Sequence, residues 1–272
     1  REGVAVDYVP VDRNGVVLID GFERALRPDT SVASVMLANN ETGVLQPVGK
    51  IAALCRERGV PFHVDGVQGV GKIPVDVEAL GLDMLSVSAH KFYGPKGIGA
   101  LYVRSGLDLD FYMTGGAQEG GLRPGTMNVP GIVGMGAAAS ISKDRLEDER
   151  VRIAGLRDRL EAGLAGHAGD LVFNGRDAAR LPNTVSVAVP RIEGEAITLN
   201  LSVLGFAVSS VSACASGSEE TSYVLTAMGL EPDVAQGAVR ISLGAENTAE
   251  EVDRFVDAFA TVVSRLRELS PL

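Results

Sequence analysis

The first half of the chain alternates continuous apolar runs with stretches of helical spacing. Residues 4–10 read as an extended strand. Residues 19–27 have the spacing of a short helix, with Asp20 as its cap and Pro28 as its stop. Residues 31–38 form an unbroken apolar run of strand length, the kind buried on both faces of a parallel sheet. A polar loop, Asn39-Asn40-Glu41-Thr42-Gly43, follows it. The spacing then predicts a helix over 48–58, with Ile51, Leu54 and Cys55 on one stripe and Gly59 as its stop. Short strands at 61–65, 83–88 and 98–103 complete the pattern, with a helical turn over 75–80.

Strand, helix, strand in succession predicts an α/β domain with a largely parallel sheet. Ligands of such sheets bind outside the carboxyl ends of the strands. Asn40, Asp65, Gln68, Ser88, His90 and Lys91 all fall at or just beyond those ends. Residues 115–126 are a glycine-rich loop ending at Thr126. A long helix is predicted over 130–164, and its densely charged middle (143–159) reads as a solvated helix bridging two lobes. Beyond it, strands at 185–189, 206–209 and 239–243 alternate with helices at 195–204, 221–228 and 249–269, the pattern of a smaller α+β domain. The expected division is a large domain over 1–147 and a small C-terminal domain over 148–272.

Composition narrows the function classes. A formal net charge of −10 argues against a broad nucleic-acid surface. No apolar run approaches the ~20 residues of a membrane span. Two cysteines, Cys55 and Cys214, cannot build a disulfide framework, which fits a reducing, cytoplasmic setting. The chain opens on Arg1 with no leader-like stretch, so either upstream sequence exists or the chain is a fragment.

The chemistry gathers around Ser88-Ala89-His90-Lys91, where an apolar strand runs into a lysine. A strand-end lysine is ordinarily a surface residue. Burial would instead disfavour its ammonium form and prepare it to bond a carbonyl. Asp65, at the end of the neighbouring run, reads as a turn cap or as the acid partner of a ring nitrogen in pyridoxal phosphate. Gln68 and Asn40 are turn residues or ligands of that cofactor's ring oxygen. Ser88 and His90 suit a phosphate, whereas His63 reads as a packing residue. Cys214 lies among small turn residues, the setting of a reactive thiol, whereas Cys55 on its apolar stripe reads as packing. Arg240, inside an apolar strand, reads as a carboxylate-binding fork or as one half of an interdomain ion pair.

Six motifs stand in one order: Asn39-Asn-Glu-Thr-Gly43, His63-Val-Asp-Gly-Val-Gln68, Ser88-Ala-His-Lys-Phe-Tyr-Gly-Pro-Lys-Gly97, Leu122-Arg-Pro-Gly-Thr126, Ser212-Ala-Cys214 and Val239-Arg-Ile-Ser-Leu-Gly244. Together they resemble the cysteine desulfurases of the NifS/IscS type, enzymes with the aspartate-aminotransferase-like fold. The resemblance implies pyridoxal 5'-phosphate held covalently by Lys91, with Asp65 on its ring nitrogen and Gln68 on its ring oxygen. Ser88 and His90 would hold the phosphate, and Thr126 would reach it across a homodimer interface. Arg240 and Asn40 would bind the carboxylate of L-cysteine, and Cys214 would take its sulfur as a persulfide. An acceptor or scaffold protein would receive that sulfur for iron–sulfur clusters, thio-cofactors or tRNA.

The sequence departs from the family in places. Its N-terminal phosphate loop and its ring-stacking histidine have no counterpart here. Glycine is more usual at Ala89, Ala117 and Val211, and Gly66, Gly120 and Ala215 are smaller differences. The readings weighed against a desulfurase are a selenocysteine lyase, an aminotransferase relative, and a truncated chain that binds partners without catalysing.

Overall fold

Val, Phe and Met interleaved with small polar residues form the strands, as their fit to a pleated surface requires. The computed structural model describes residues 3–110, 113–167, 169–210 and 221–269. They fall into two compact units, and both units are discontinuous in sequence. One comprises Arg27–Leu37 and Val48–Leu146; the other comprises Arg1–Leu26, Ala38–Pro47 and Glu147–Leu272.

The first unit carries a four-stranded sheet in the order β1 (Ala33–Met36), β2 (Phe62–Asp65), β3 (Met84–Ser88), β4 (Gly99–Val103). The first three strands run parallel, with Ser34 opposite His63 and Asp65 opposite Ser86. The crossover between β1 and β2 contains a helix, Val48–Arg58, which buries Val48, Ile51, Ala52 and Cys55. Gly59 then takes φ +66°, a left-handed conformation that ends the helix at little steric cost.

β4 departs from the parallel expectation: it pairs antiparallel with β3, Ser88 opposite Gly99. The connection is too short for a crossover and reverses the chain through Tyr93 at φ 67° and Gly97 at φ 80°. The helical turn expected over 75–80 is a turn only. There the Asp76 carboxylate caps the turn, accepting from the backbone N–H groups of Glu78 and Ala79, each at 2.9 Å; Leu80 N–H donates to the Asp76 carbonyl at 3.0 Å, and Gly81 at φ 69° stops the turn from extending.

The second unit holds an antiparallel sheet in the order β5 (Val172–Phe173), β6 (Thr184–Ala188), β8 (Ala238–Ser242), β7 (Ser209–Ser210). Its short helix α1 spans Ile19–Ala25, with Leu18 rather than Asp20 at the cap. Helix α2 is the Val48–Arg58 crossover helix, and α3 is a single 39-residue helix, Val129–His167, inside which the two units divide. Helices α4 (Gly194–Val203), α5 (Tyr223–Ala227), α6 (Pro232–Ala235) and α7 (Ala249–Leu269) complete the unit. Leu160, Leu164, Val187, Ile197, Val239 and Phe259 anchor its core and are all but inaccessible to solvent. On general grounds, burying each such side chain stabilises by about 1.5–3 kcal/mol.

Residues 4–10 do not form the expected strand. Val4, Val6 and Tyr8 are exposed, and the nearby pairing is the isolated Val11–Val17 bridge. An extended segment without a ladder partner gains none of the bonds that define a strand.

Candidate active site

Asp65 is the last residue of β2, placed by the parallel register at the carboxyl end of the sheet. Its Oδ1 accepts from the Val67 N–H at 3.0 Å, and its Oδ2 accepts no hydrogen bond among the described residues. The turn that follows depends on glycine. A Cβ at Gly66 would lie 2.6 Å from Leu85 Cδ1 and 3.2 Å from the Ser86 carbonyl. Gln68 closes this turn, half-buried, with a side-chain amide that bonds no described residue. Its own carbonyl accepts from Lys72 Nζ at 2.9 Å.

Ser88 ends β3, and a single 3₁₀ turn (Ala89–Phe92) carries His90 and Lys91 directly after it. Buried Ala89 and Phe92 pin that turn, and Gly94 N–H donates back to the Ala89 carbonyl at 2.9 Å. The Ser88 hydroxyl pairs with His90 Nδ1 at 2.9 Å, with the ring exposed. Lys91 is half-buried and its ammonium bonds no described residue.

His63 shares its sheet face with Asp65. Its ring is held at both nitrogens, by Ser34 Oγ and Ser86 Oγ, each at 2.8 Å. Burial lowers its pKa from the usual 6.5, against the opposing pull of Asp65. It is a satisfied packing residue, as its position predicts.

The second unit, taken by itself, carries another candidate group. Asn39 Oδ1 accepts from Glu41 N and Thr42 N, both at 2.9 Å, folding 39–43 into a tight turn. The turn presents the Asn40 carbonyl to Arg240, whose Nη1 donates to it at 2.8 Å. Arg240 Nη2 donates to Ser209 Oγ, its cross-strand partner, at 3.2 Å. No carboxylate lies within ion-pair distance of Arg240 among the described residues. The guanidinium therefore keeps unused donors, and the ion-pair alternative is not formed there.

Thr126 is exposed in its loop. Cys214 lies outside the described residues, between Ser210, which ends β7, and Ser222, the cap of α5. Cys55 is fully buried, and burial, with Asp83 adding to it, pushes its thiol up to about 11.

Two residues of this region escape a reading of the sequence, Glu41 and Ser222. Glu41 is 3% exposed, and its Oε2 accepts the Ser222 hydroxyl proton. Its burial signal was masked by the turn composition around it. An acid within a turn ordinarily reads as solvated.

The residues at the first unit's strand ends suit one kind of ligand. A lysine, one carboxylate oxygen and an amide stand half-buried at neighbouring strand ends and bond no described residue. So placed, all three can exchange water for a ligand. Pyridoxal phosphate, which needs an amine for its aldehyde and an acid for its ring nitrogen, fits that donor set.

Comparison with known proteins identifies the class. The family profile described as aminotransferase class-V matches residues 1–255. A cysteine desulfurase of Gluconacetobacter diazotrophicus is 49% identical over 269 residues, covering 99% of this chain and 67% of that protein. The cysteine desulfurase IscS of Anaeromyxobacter dehalogenans is 48% identical over 274 residues, covering 100% of this chain and 67% of that one. A solved structure described as a NifS-like protein superposes with a TM-score of 0.89 at 41% identity, covering 97% of this chain and 70% of its own. The chain spans about two thirds of the length of these relatives.

The chain therefore belongs to the class-V aminotransferases, a pyridoxal-phosphate-dependent family with this α/β fold. Within them it groups with the cysteine desulfurases of the IscS/NifS type.

Proposed function

We propose that this chain converts L-cysteine to L-alanine and retains the sulfur as a persulfide on Cys214. The Lys91 ammonium, one Asp65 carboxylate oxygen and the Gln68 amide, which bond no described residue and stand at adjacent strand ends, carry this reading, together with the identity to cysteine desulfurases.

Lys91 Nζ would hold the cofactor covalently and would move the proton of the substrate α-carbon. Asp65 would keep the ring nitrogen protonated, Gln68 and Asn40 would bond the ring oxygen, and Ser88, His90 and Thr126 would hold the phosphate. Bound there, the cofactor withdraws electrons from the α-carbon and so weakens the substrate's carbon–sulfur bond. Arg240 fixes the carboxylate through its unused donors, helped by Asn40.

The Cys214 thiolate then takes the sulfur. A sulfur–sulfur bond forms as the carbon–sulfur bond breaks, and the β-carbon leaves with the electron pair and a proton as alanine. Carbon is reduced as sulfur is oxidised, so the step requires no outside oxidant.

We further assign Thr126 to the site of a second copy in a homodimer, residues 1–147 to the cofactor-binding domain and 148–272 to the small domain. The persulfide would pass to an acceptor or scaffold protein for iron–sulfur cluster or thio-cofactor and tRNA synthesis in the cytoplasm. The IscS names of several relatives support the cluster pathway. No helix among the described residues is long and apolar enough to cross a membrane.

Cys214→Ala tests this directly. Sulfide release from L-cysteine should vanish while the lysine–cofactor absorbance band stays. Release at the wild-type rate would overturn the persulfide route.

A further inference from the structure

Glu41 is a carboxylate that the proposed chemistry does not use, and it is 3% exposed. Burial raises its pKa, while the Ser222 hydrogen bond and the charge of Arg240 pull it back. A buried acid is a costly way to fill space, and an apolar side chain of similar volume is commonly as stable or more so. Its partners indicate what it does instead.

The Ser222 hydroxyl donates to Glu41 Oε2 and at the same time accepts from the Leu225 N–H at 3.2 Å, capping α5. Glu41 follows Asn40, whose carbonyl accepts from Arg240 Nη1 at 2.8 Å. Arg240 reaches Ser209 Oγ through Nη2 at 3.2 Å. A continuous path thus runs from Ser209 through Arg240 and the Asn40–Glu41 peptide to Ser222. Ser209 and Ser222 flank the segment that contains Cys214. The Ser209 flank thus bonds Arg240 itself, and the Ser222 flank bonds Glu41, the residue after the one whose carbonyl Arg240 holds.

We propose that Glu41 is a positioning residue for sulfur transfer, tying the Ser222 flank of the Cys214 segment to the turn that holds Arg240. The inference rests on the desulfurase reading, in which Arg240 grips the substrate and Cys214 must meet its sulfur. Glu41 touches neither substrate nor cofactor. It fixes the span between the group that holds the carboxylate and one flank of the group that attacks. Loosening that flank lowers the share of encounters in reacting geometry, a loss of rate rather than of affinity.

The test uses the native protein with Glu41→Ala, Glu41→Gln, Ser222→Ala and, as control, Cys214→Ala. Three quantities are followed: the single-turnover rate of persulfide formation, KM for L-cysteine, and amide hydrogen exchange in the peptide spanning 221–230. Glu41→Ala and Ser222→Ala should slow persulfide formation about tenfold or more, with KM changed less than about threefold. Both should speed exchange at the start of α5. Glu41→Gln, whose amide oxygen still accepts from Ser222, should restore most of the rate.

Wild-type persulfide rates in Glu41→Ala and Ser222→Ala would overturn the proposal, as would equal losses in Gln and Ala variants with unchanged exchange. If Glu41→Ala does not fold, Ser222→Ala decides alone by the same criteria. Full sulfide release by Cys214→Ala would instead overturn the desulfurase reading, which separates the two failures.

Discussion

Arg240 Nη1 donates to the carbonyl oxygen of Asn40 at 2.8 Å, joining residues 200 positions apart in sequence. Nη1 is thus committed to backbone and Nη2 to Ser209 Oγ at 3.2 Å, and the donors left over bond no described residue. A lysine cannot do both, because its ammonium lacks the planar fork. Arg240→Lys should lower kcat/KM for L-cysteine by about tenfold to a hundredfold, the worth of a charged hydrogen bond. Steady-state kinetics should place most of that loss in KM, with the cofactor absorbance unchanged.

Gly43 closes the same turn at φ +75°, and a Cβ there would lie 2.8 Å from Thr184 Cβ. Gly43→Ala combines a left-handed backbone with a clash. It should destabilise by about 1–3 kcal/mol, read as a lower urea midpoint at unchanged slope. Because the turn also presents the Asn40 carbonyl, KM for L-cysteine should rise with it.

His63 predicts a pH dependence. Its folded pKa lies below the unfolded 6.5, chiefly through burial, so the unfolded chain binds the proton more readily. The stability this group confers is complete above pH 6.5 and is lost as pH falls through the lowered folded value. Urea midpoints measured between about pH 8 and pH 5 should fall more steeply for wild type than for His63→Gln. Parallel curves would contradict it.

The two cysteines should separate by reactivity. Cys55 is fully buried and its thiol is pushed up to about 11, so it stays protonated near neutral pH. Brief treatment of the native protein with iodoacetamide should label Cys214 and leave Cys55 unmodified until denaturant is added. Peptide mass mapping would show it.

What could be read from the sequence depended on how local the physics was. Helix 48–58, with its apolar stripe and Gly59 stop, is local in its causes, and its bounds agree with the structure. The strand ends carrying Asp65 and Ser88 were legible because apolar runs break at turn residues. The antiparallel β4 was not, since strand direction depends on a reversal at Tyr93 and Gly97 that apolar patterning does not encode. Residues 4–10 have strand composition, but pairing requires a partner that the segment itself does not specify. Glu41 was hidden for a related reason: its burial and its bond to Ser222 arise from a contact 181 residues away.

The central claim is that Lys91 holds the cofactor and Cys214 carries the sulfur. Mass analysis of the native protein before and after one equivalent of L-cysteine, with borohydride reduction of a parallel sample, tests both halves. A pyridoxyl-phosphate adduct mapping to Lys91 and a gain of one sulfur atom mapping to Cys214 are expected. An adduct on another lysine, or sulfide released with no sulfur gained at Cys214, would contradict it.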